Sequence, residues 1–291
     1  MRTAGGQVGS SHNRHVSGHG PCPACLRPGL RLPAGGGPSR LTGDAFTADR
    51  TQTRTAFRRA RRIETEYAAK LRRVARFIHE LCATHPVTDL PGALWLRTAL
   101  EQYANTLTPW AEAVSRTMLT ETAARDERSW FRIADRMGRA LREEIAATPT
   151  GPILRQLMGE QVKLIKSIPL EAAERVHNVA LKHLEQGLRA DSLVSEIMKT
   201  GQVSRSKAEL IAVTETGRAN TTLTQARAQR VGSEGYIWRT SKDAAVRPSH
   251  REMEGKVVPW NAPPTLDGLT GHAGALPRCR CFCEPVIPGL E

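Results

Sequence analysis

Ala60, Ile63, Tyr67, Leu71, Val74, Ile78 and Leu81 follow one another at steps of three and four residues. That rhythm matches the turn of an α-helix and lines these side chains along one narrow seam of a long helix beginning near residue 55. Arg58, Arg59, Arg61, Arg62, Arg72, Arg73 and Arg76 take much of the remaining surface. An arginine face of this kind suits DNA phosphates or an acidic protein ring, but the plainer reading, a solvated face, is preferred. His85-Pro86 and Leu90-Pro91-Gly92 are expected to end the helix, because a residue before proline is pushed out of the α region.

The same periodicity continues downstream. Residues 94–107 read as a second helix and residues 110–145 as a third, with Val114, Met118, Trp130, Ile133, Met137 and Leu141 as core candidates. Pro149 to Pro152 break it. Trp95, Trp110 and Trp130 are expected to be packing anchors. Pro169 suits an early position of the next helix, whose packed face carries Val176, Val179, Ala180, Leu184 and Leu188. His177 and His183 are six residues apart, off the spacing of a helical metal pair, and read as ordinary helix residues. Asp191 is expected to cap a short helix closed by Gly201, and Ser206 with Glu209 to form a capping box that opens another.

Aromatic residues make up only 4% of a chain that is 40% hydrophobic, so the core must be built mainly from aliphatic side chains. An all-β fold is excluded on that ground. The formal net charge of +13 would draw polyanions such as nucleic acid or an acidic protein face, and equally suits a plain solvated basic surface; the charge alone does not choose between them. No signal peptide or membrane-spanning run is read, so a reducing cytoplasm is expected, where cysteines bind metal or are simply buried.

Residues 1–50 are rich in Gly, Pro, His and basic residues, with no periodic apolar positions, and read as a disordered basic tail. Cys22 and Cys25 lie within it, near His12, His15 and His19, but no second cysteine pair at zinc-ribbon spacing follows.

The character of the chain changes after residue 231. Tyr236 to Thr240 alternates like a short strand, Pro248 sits at a first helical position, and a second strand follows Gly255. Residues 261–276 read as a Pro/Gly-rich loop. It leads to Cys279, Cys281 and Cys283, which strand alternation sends to one face, with Arg280 and Phe282 on the other. The fold class expected is α+β: a mainly helical body over residues 51–205, then a C-terminal module over 206–291 with a short antiparallel sheet.

Several residues stand in an ordered series: Ala208-Glu209 and Thr214-Glu215 on a helix, then Trp238, Thr240, Asp243, Val246-Arg247-Pro248-Ser249-His250, Gly255 and Cys279-Arg280-Cys281. The series resembles the phage head morphogenesis family, the Mu F-like minor head proteins, over residues 160–290. Val213 stands where that family usually has Arg. The resemblance implies a minor capsid protein of a tailed phage or prophage. It would be located in the virion after assembly in the host cytoplasm, with portal and capsid proteins, and also DNA, as partners.

Asp243, Arg247 and His250 are the raw material for proton transfer, and a toxin-like or hydrolytic enzyme is the alternative they raise. No nucleophile or oxyanion arrangement accompanies them, so no enzymatic activity is expected. The structural alternative has Asp243 capping its turn and pairing with Arg247 while His250 packs on Trp238. His250, Cys279, Cys281 and Cys283 form a candidate zinc set, which would make the module a zinc-dependent DNA-binding unit. Burial of Cys279 and Cys281 as small apolar residues, with no cofactor, is the default.

Overall fold

The computed structural model describes residues 50–134 and 139–288. The tail read over residues 1–50 lies outside the described residues apart from Arg50, and Cys22 and Cys25 with it. So do Met137 and the side chains of Arg58, Arg59 and Leu141.

Among the described residues six helices come first: α1 (Arg50–Thr84), α2 (Leu90–Thr106), α3 (Thr108–Ala134), α4 (Arg139–Ala146), α5 (Thr150–Gln186) and α6 (Ala190–Arg230). Strand β1 (Gly235–Thr240), the single turn α7 (Pro248–Arg251), β2 (Val257–Pro259), β3 (Thr265–Leu266), β4 (Leu269–Thr270) and β5 (Cys281–Pro285) complete the order. The class is α+β, a helical body followed by a small antiparallel sheet.

The seam on α1 is buried from Ile63 to Ile78, with Leu71 and Ile78 fully inaccessible. It forms one hydrophobic core with Leu96 and Leu100 of α2, Val114 and Met118 of α3, Ile165 and Val176 of α5, and Ile197 and Ile211 of α6. A second core gathers Tyr236, Trp238, Val258, Trp260 and the three cysteines, and includes Trp130 of α3, Ile145 of α4 and Ala228 of α6. Helices of the body therefore wall the sheet. The sheet has the order β2-β1-β5, antiparallel throughout, with Trp238 opposite Cys283 and Thr240 opposite Cys281.

Several local expectations are corrected. Leu90, Pro91 and Gly92 begin α2 rather than end α1: Asp89 caps this helix by accepting the Gly92 N–H at 2.8 Å. Proline is tolerated there because the first-turn N–H it lacks has no helical partner anyway. Pro169 lies inside α5. Burial of Ile165 and Ile168 before it, and of Ala172, Ala173 and Val176 after it, keeps the two halves in one helix despite the lost backbone bond.

Asp191, Gly201 and Ser206 likewise lie within the uninterrupted helix α6, whose N-cap is Arg189. Gly201 lets α1 approach: a Cβ there would fall 2.6 Å from the His79 ring. Glu209 reaches Arg205 and Arg72 instead of a capping box. The helix thus passes straight through positions 205 and 206, where the sequence reading divides body from module.

Trp130 is fully packed, but Trp95 is 49% exposed and rests on His85, so it is no packing anchor. Leu184 and Leu188 are exposed as well. In the last turn of α5 it is His183, not Leu184, that turns inward, its Nε2 lying 2.8 Å from Ser192 Oγ of α6, and Leu188 falls after Gly187, which ends the helix in the left-handed conformation.

Candidate functional site

Strand β1 is the spine of the terminal module. Backbone bonds tie Trp238 to the turn before β2, its N–H reaching Lys256 O at 2.8 Å and its carbonyl accepting the Gly255 N–H at 2.8 Å. Gly255 turns there with φ of +82°. Thr240 closes the strand through a residue the sequence reading passed over. Glu254 accepts both the Thr240 backbone N–H (2.6 Å) and its hydroxyl (2.7 Å), and it lies within ion-pair distance of Arg239 and Lys242.

The residues of the Val246 to His250 segment have different partners. Asp243 accepts the Ala245 N–H at 3.0 Å, capping its turn as expected, but its ion-pair partner is Arg280 at 3.0 Å, not Arg247. Arg247 instead lies 3.6 Å from Asp267, which also accepts the Ser249 hydroxyl at 2.9 Å. Asp267 belongs to a feature read as plain loop: β3 and β4 form a hairpin turned by Asp267-Gly268, both at positive φ. The Asp-Gly pair was the available signal, since it suits the tight turns of hairpins. Polar contacts thus send Asp243 and Arg247 to separate partners and His250 inward, away from an acid-guanidinium-imidazole cluster.

His250 is 1% exposed. It meets the Trp238 ring edge to face at 5.5 Å between centroids, and its Nδ1 lies 3.3 Å from Cys279 Sγ and 3.5 Å from Cys281 Sγ. These three residues are the group whose donor atoms could hold a metal ion among the described residues. Cys283, the fourth candidate, is on the same face of β5 but outside that group, and its thiol donates to Ala273 O at 3.4 Å.

The two clustered thiols titrate as one unit. Cys281 donates to Cys279 and holds the Cys279 thiol down to about 6, helped by the Gly274 N–H at 3.3 Å from its sulfur. That interaction in turn pushes Cys281 up, although the Trp238 indole lies near enough to oppose it without reaching hydrogen-bond geometry. Burial raises the Cys283 thiol. Burial also pushes up the Tyr236 phenol, whose oxygen accepts the Ala273 N–H and contacts His272 Nδ1.

Helix α6 presents Thr214, Gly217 and Thr221 to the loop before the cysteines. Thr214 Oγ1 accepts the Arg278 N–H at 3.1 Å, and Thr221 donates to Ala273 O at 2.7 Å. Glu215 faces the body instead, accepting from Gln161 at 2.6 Å and from Arg218 at 2.7 Å; Gln161 in turn accepts the Tyr67 hydroxyl. One helix therefore serves both the body and the module.

The ordered motif has counterparts among known proteins. Residues 174–284 match the model of the family "Phage Mu protein F like protein". This is the Mu F-like head morphogenesis family that the motif resembles. The Mu F-like segment takes in the last third of α5, all of α6 and the sheet into β5. A curated protein of Haemophilus influenzae, described as uncharacterized, is 33% identical over 135 residues. The similar stretch spans 46% of this chain and 30% of that protein. No solved structure matches. Among the described residues no helix is long and apolar enough to cross a membrane.

Proposed function

We propose that this chain is a head-morphogenesis protein of a tailed phage or prophage, a minor virion component that joins the procapsid near the portal. The observation that carries this reading is the Mu F-like match over residues 174–284, which coincides with α6 and the sheet it supports. Trp238 and Thr240 serve the strand core, Gly255 and Arg280 serve turn and pairing, and the docking surface is formed by the module as a whole. A residue-level catalytic role is not part of this reading, because Asp243, Arg247 and His250 each have a different partner.

Contact with packaged DNA belongs to the same proposal and draws on the +13 formal charge and on the exposed Arg61, Arg73 and Arg76 of α1. Duplex DNA affinity is expected to fall steeply as salt rises, since each neutralised phosphate releases counterions. A flat salt dependence would show an inert basic surface.

The assembly reading is tested in cells producing the phage or induced prophage. The full chain is expected to sediment with procapsids and to be cross-linked to the portal, and a nonsense allele should yield aberrant or empty heads. Normal particle yield from the nonsense allele, with the chain absent from particles, would overturn it.

A further inference from the structure

We propose that His250, Cys279 and Cys281 bind a zinc ion through Nδ1 and the two Sγ atoms, and that this ion pins the end of β5 to α7. Zinc bound at about 2.0 Å to nitrogen and about 2.3 Å to sulfur with tetrahedral angles sets nitrogen and sulfur about 3.5 Å apart. The structure has 3.3 and 3.5 Å for the two pairs, and all three donor atoms lie within 4.8 Å of one another. The donor set is of the soft and borderline kind that selects zinc over calcium or magnesium.

A Cys-x-Cys spacing is a tight bite for one ion, and the backbone here relieves it. Arg278 takes φ of +52° directly before Cys279, whose N–H turns back to Leu276 O at 2.9 Å. The first thiol is thereby redirected toward the second. Positive φ at a non-glycine residue is uncommon and is held only where the surroundings enforce it, and Thr214 holds the Arg278 N–H in place. The Gly274 N–H points at Cys279 Sγ, a donor of the kind that steadies a bound thiolate.

Burial completes the case. His250, Cys279 and Cys281 are 1%, 8% and 7% exposed, and the neighbouring Trp238 and Leu276 belong to the same apolar core. On binding, the thiol protons leave and the cation balances the thiolate charge. Cys283 is excluded from the ligand set, because its thiol is directed to Ala273 O, and the fourth position falls to water.

The test uses the 291-residue chain purified under reducing conditions without chelator. Elemental analysis is expected to find about one zinc per chain, as a single mononuclear site requires. Cobalt substitution should give thiolate-to-metal charge-transfer bands. His250→Ala, Cys279→Ser and Cys281→Ser should each weaken zinc more than about 100-fold in chelator competition, beyond what loss of an outer partner causes. Cys283→Ser and Cys82→Ser should retain it. If the ligand variants fold poorly, the stripped wild type decides: zinc, but not magnesium, should raise its Tm. Metal-free wild type with no Tm response, copper in place of zinc, zinc retained by His250→Ala, or zinc lost from Cys283→Ser would each overturn the assignment.

Discussion

Asp126 of α3 accepts the Thr224 hydroxyl at 2.6 Å and lies 3.1 Å from the Arg227 guanidinium, both on α6, in a site almost closed to solvent. Desolvation pushes its carboxyl up to about 6, against the pull of the hydroxyl and the guanidinium. Between about pH 4 and 6 the unfolded chain releases a proton that the folded chain keeps, so this group's contribution to stability falls as pH rises. The full swing is about 3 kcal/mol from a shift of about two units. Urea unfolding of wild type and Asp126→Asn at both ends of that window should show the wild type losing ground toward neutral pH; a constant difference would refute it. Glu254 offers a simpler case. Glu254→Ala leaves the Thr240 N–H and hydroxyl without their acceptor and should cost roughly 1.5–3 kcal/mol in urea unfolding. Neither pairing could be read from spacing, because Asp126 and Arg227 are far apart in the chain and Glu254 sits in no recognisable pattern.

Helix α6 and the loop before β5 touch backbone to backbone. A Cβ on Gly217 would lie 2.5 Å from Gly274 O, which is backbone and cannot swing away. Gly217→Ala should therefore cost about 1–3 kcal/mol, the range for overpacking a closed contact, and should loosen the module before the body. Hydrogen exchange that speeds up over residues 269–285 but not along α1 would confirm this; uniform change would not. Gly159 of α5 is the contrast, since a methyl group added there would meet nothing within 4 Å. Gly159→Ala should raise stability by about 0.5–1 kcal/mol through helix propensity alone. At this scale the sequence was a good guide where apolar periodicity ran long, as on α1, and a poor one where single residues were read as punctuation. Pro169, Gly201 and Ser206 carry ordinary break or cap signals, yet burial on both sides of each outweighs the local preference.

The whole molecule turns on α6 belonging to two cores. Ala208, Ile211, Ala212 and Ala219 pack into the helical body, whereas Ala228 joins the core of the sheet. A chain truncated after residue 205 should therefore lose cooperative unfolding in thermal melts, while one truncated after residue 231 should keep the circular dichroism of a folded helical body. If both melt alike, the shared-helix account fails. The same coupling joins the motif residues that lie far apart in the chain: Thr214 of the helix holds the Arg278 N–H directly before Cys279, while Glu215 one position on bonds Gln161 and Arg218 in the body.

The aliphatic composition, the long helical rhythm of α1 and the strand alternation around Trp238 were enough, on the sequence alone, to determine an α+β chain with its chemistry concentrated near the end. These are local properties, fixed by how side chains repeat along a helix or strand. Tertiary structure decided which of the four candidate ligands meet, that Asp243 pairs with Arg280, and that α6 runs unbroken. Each of those outcomes depends on groups brought together across long chain separations, where packing and desolvation govern and spacing is silent.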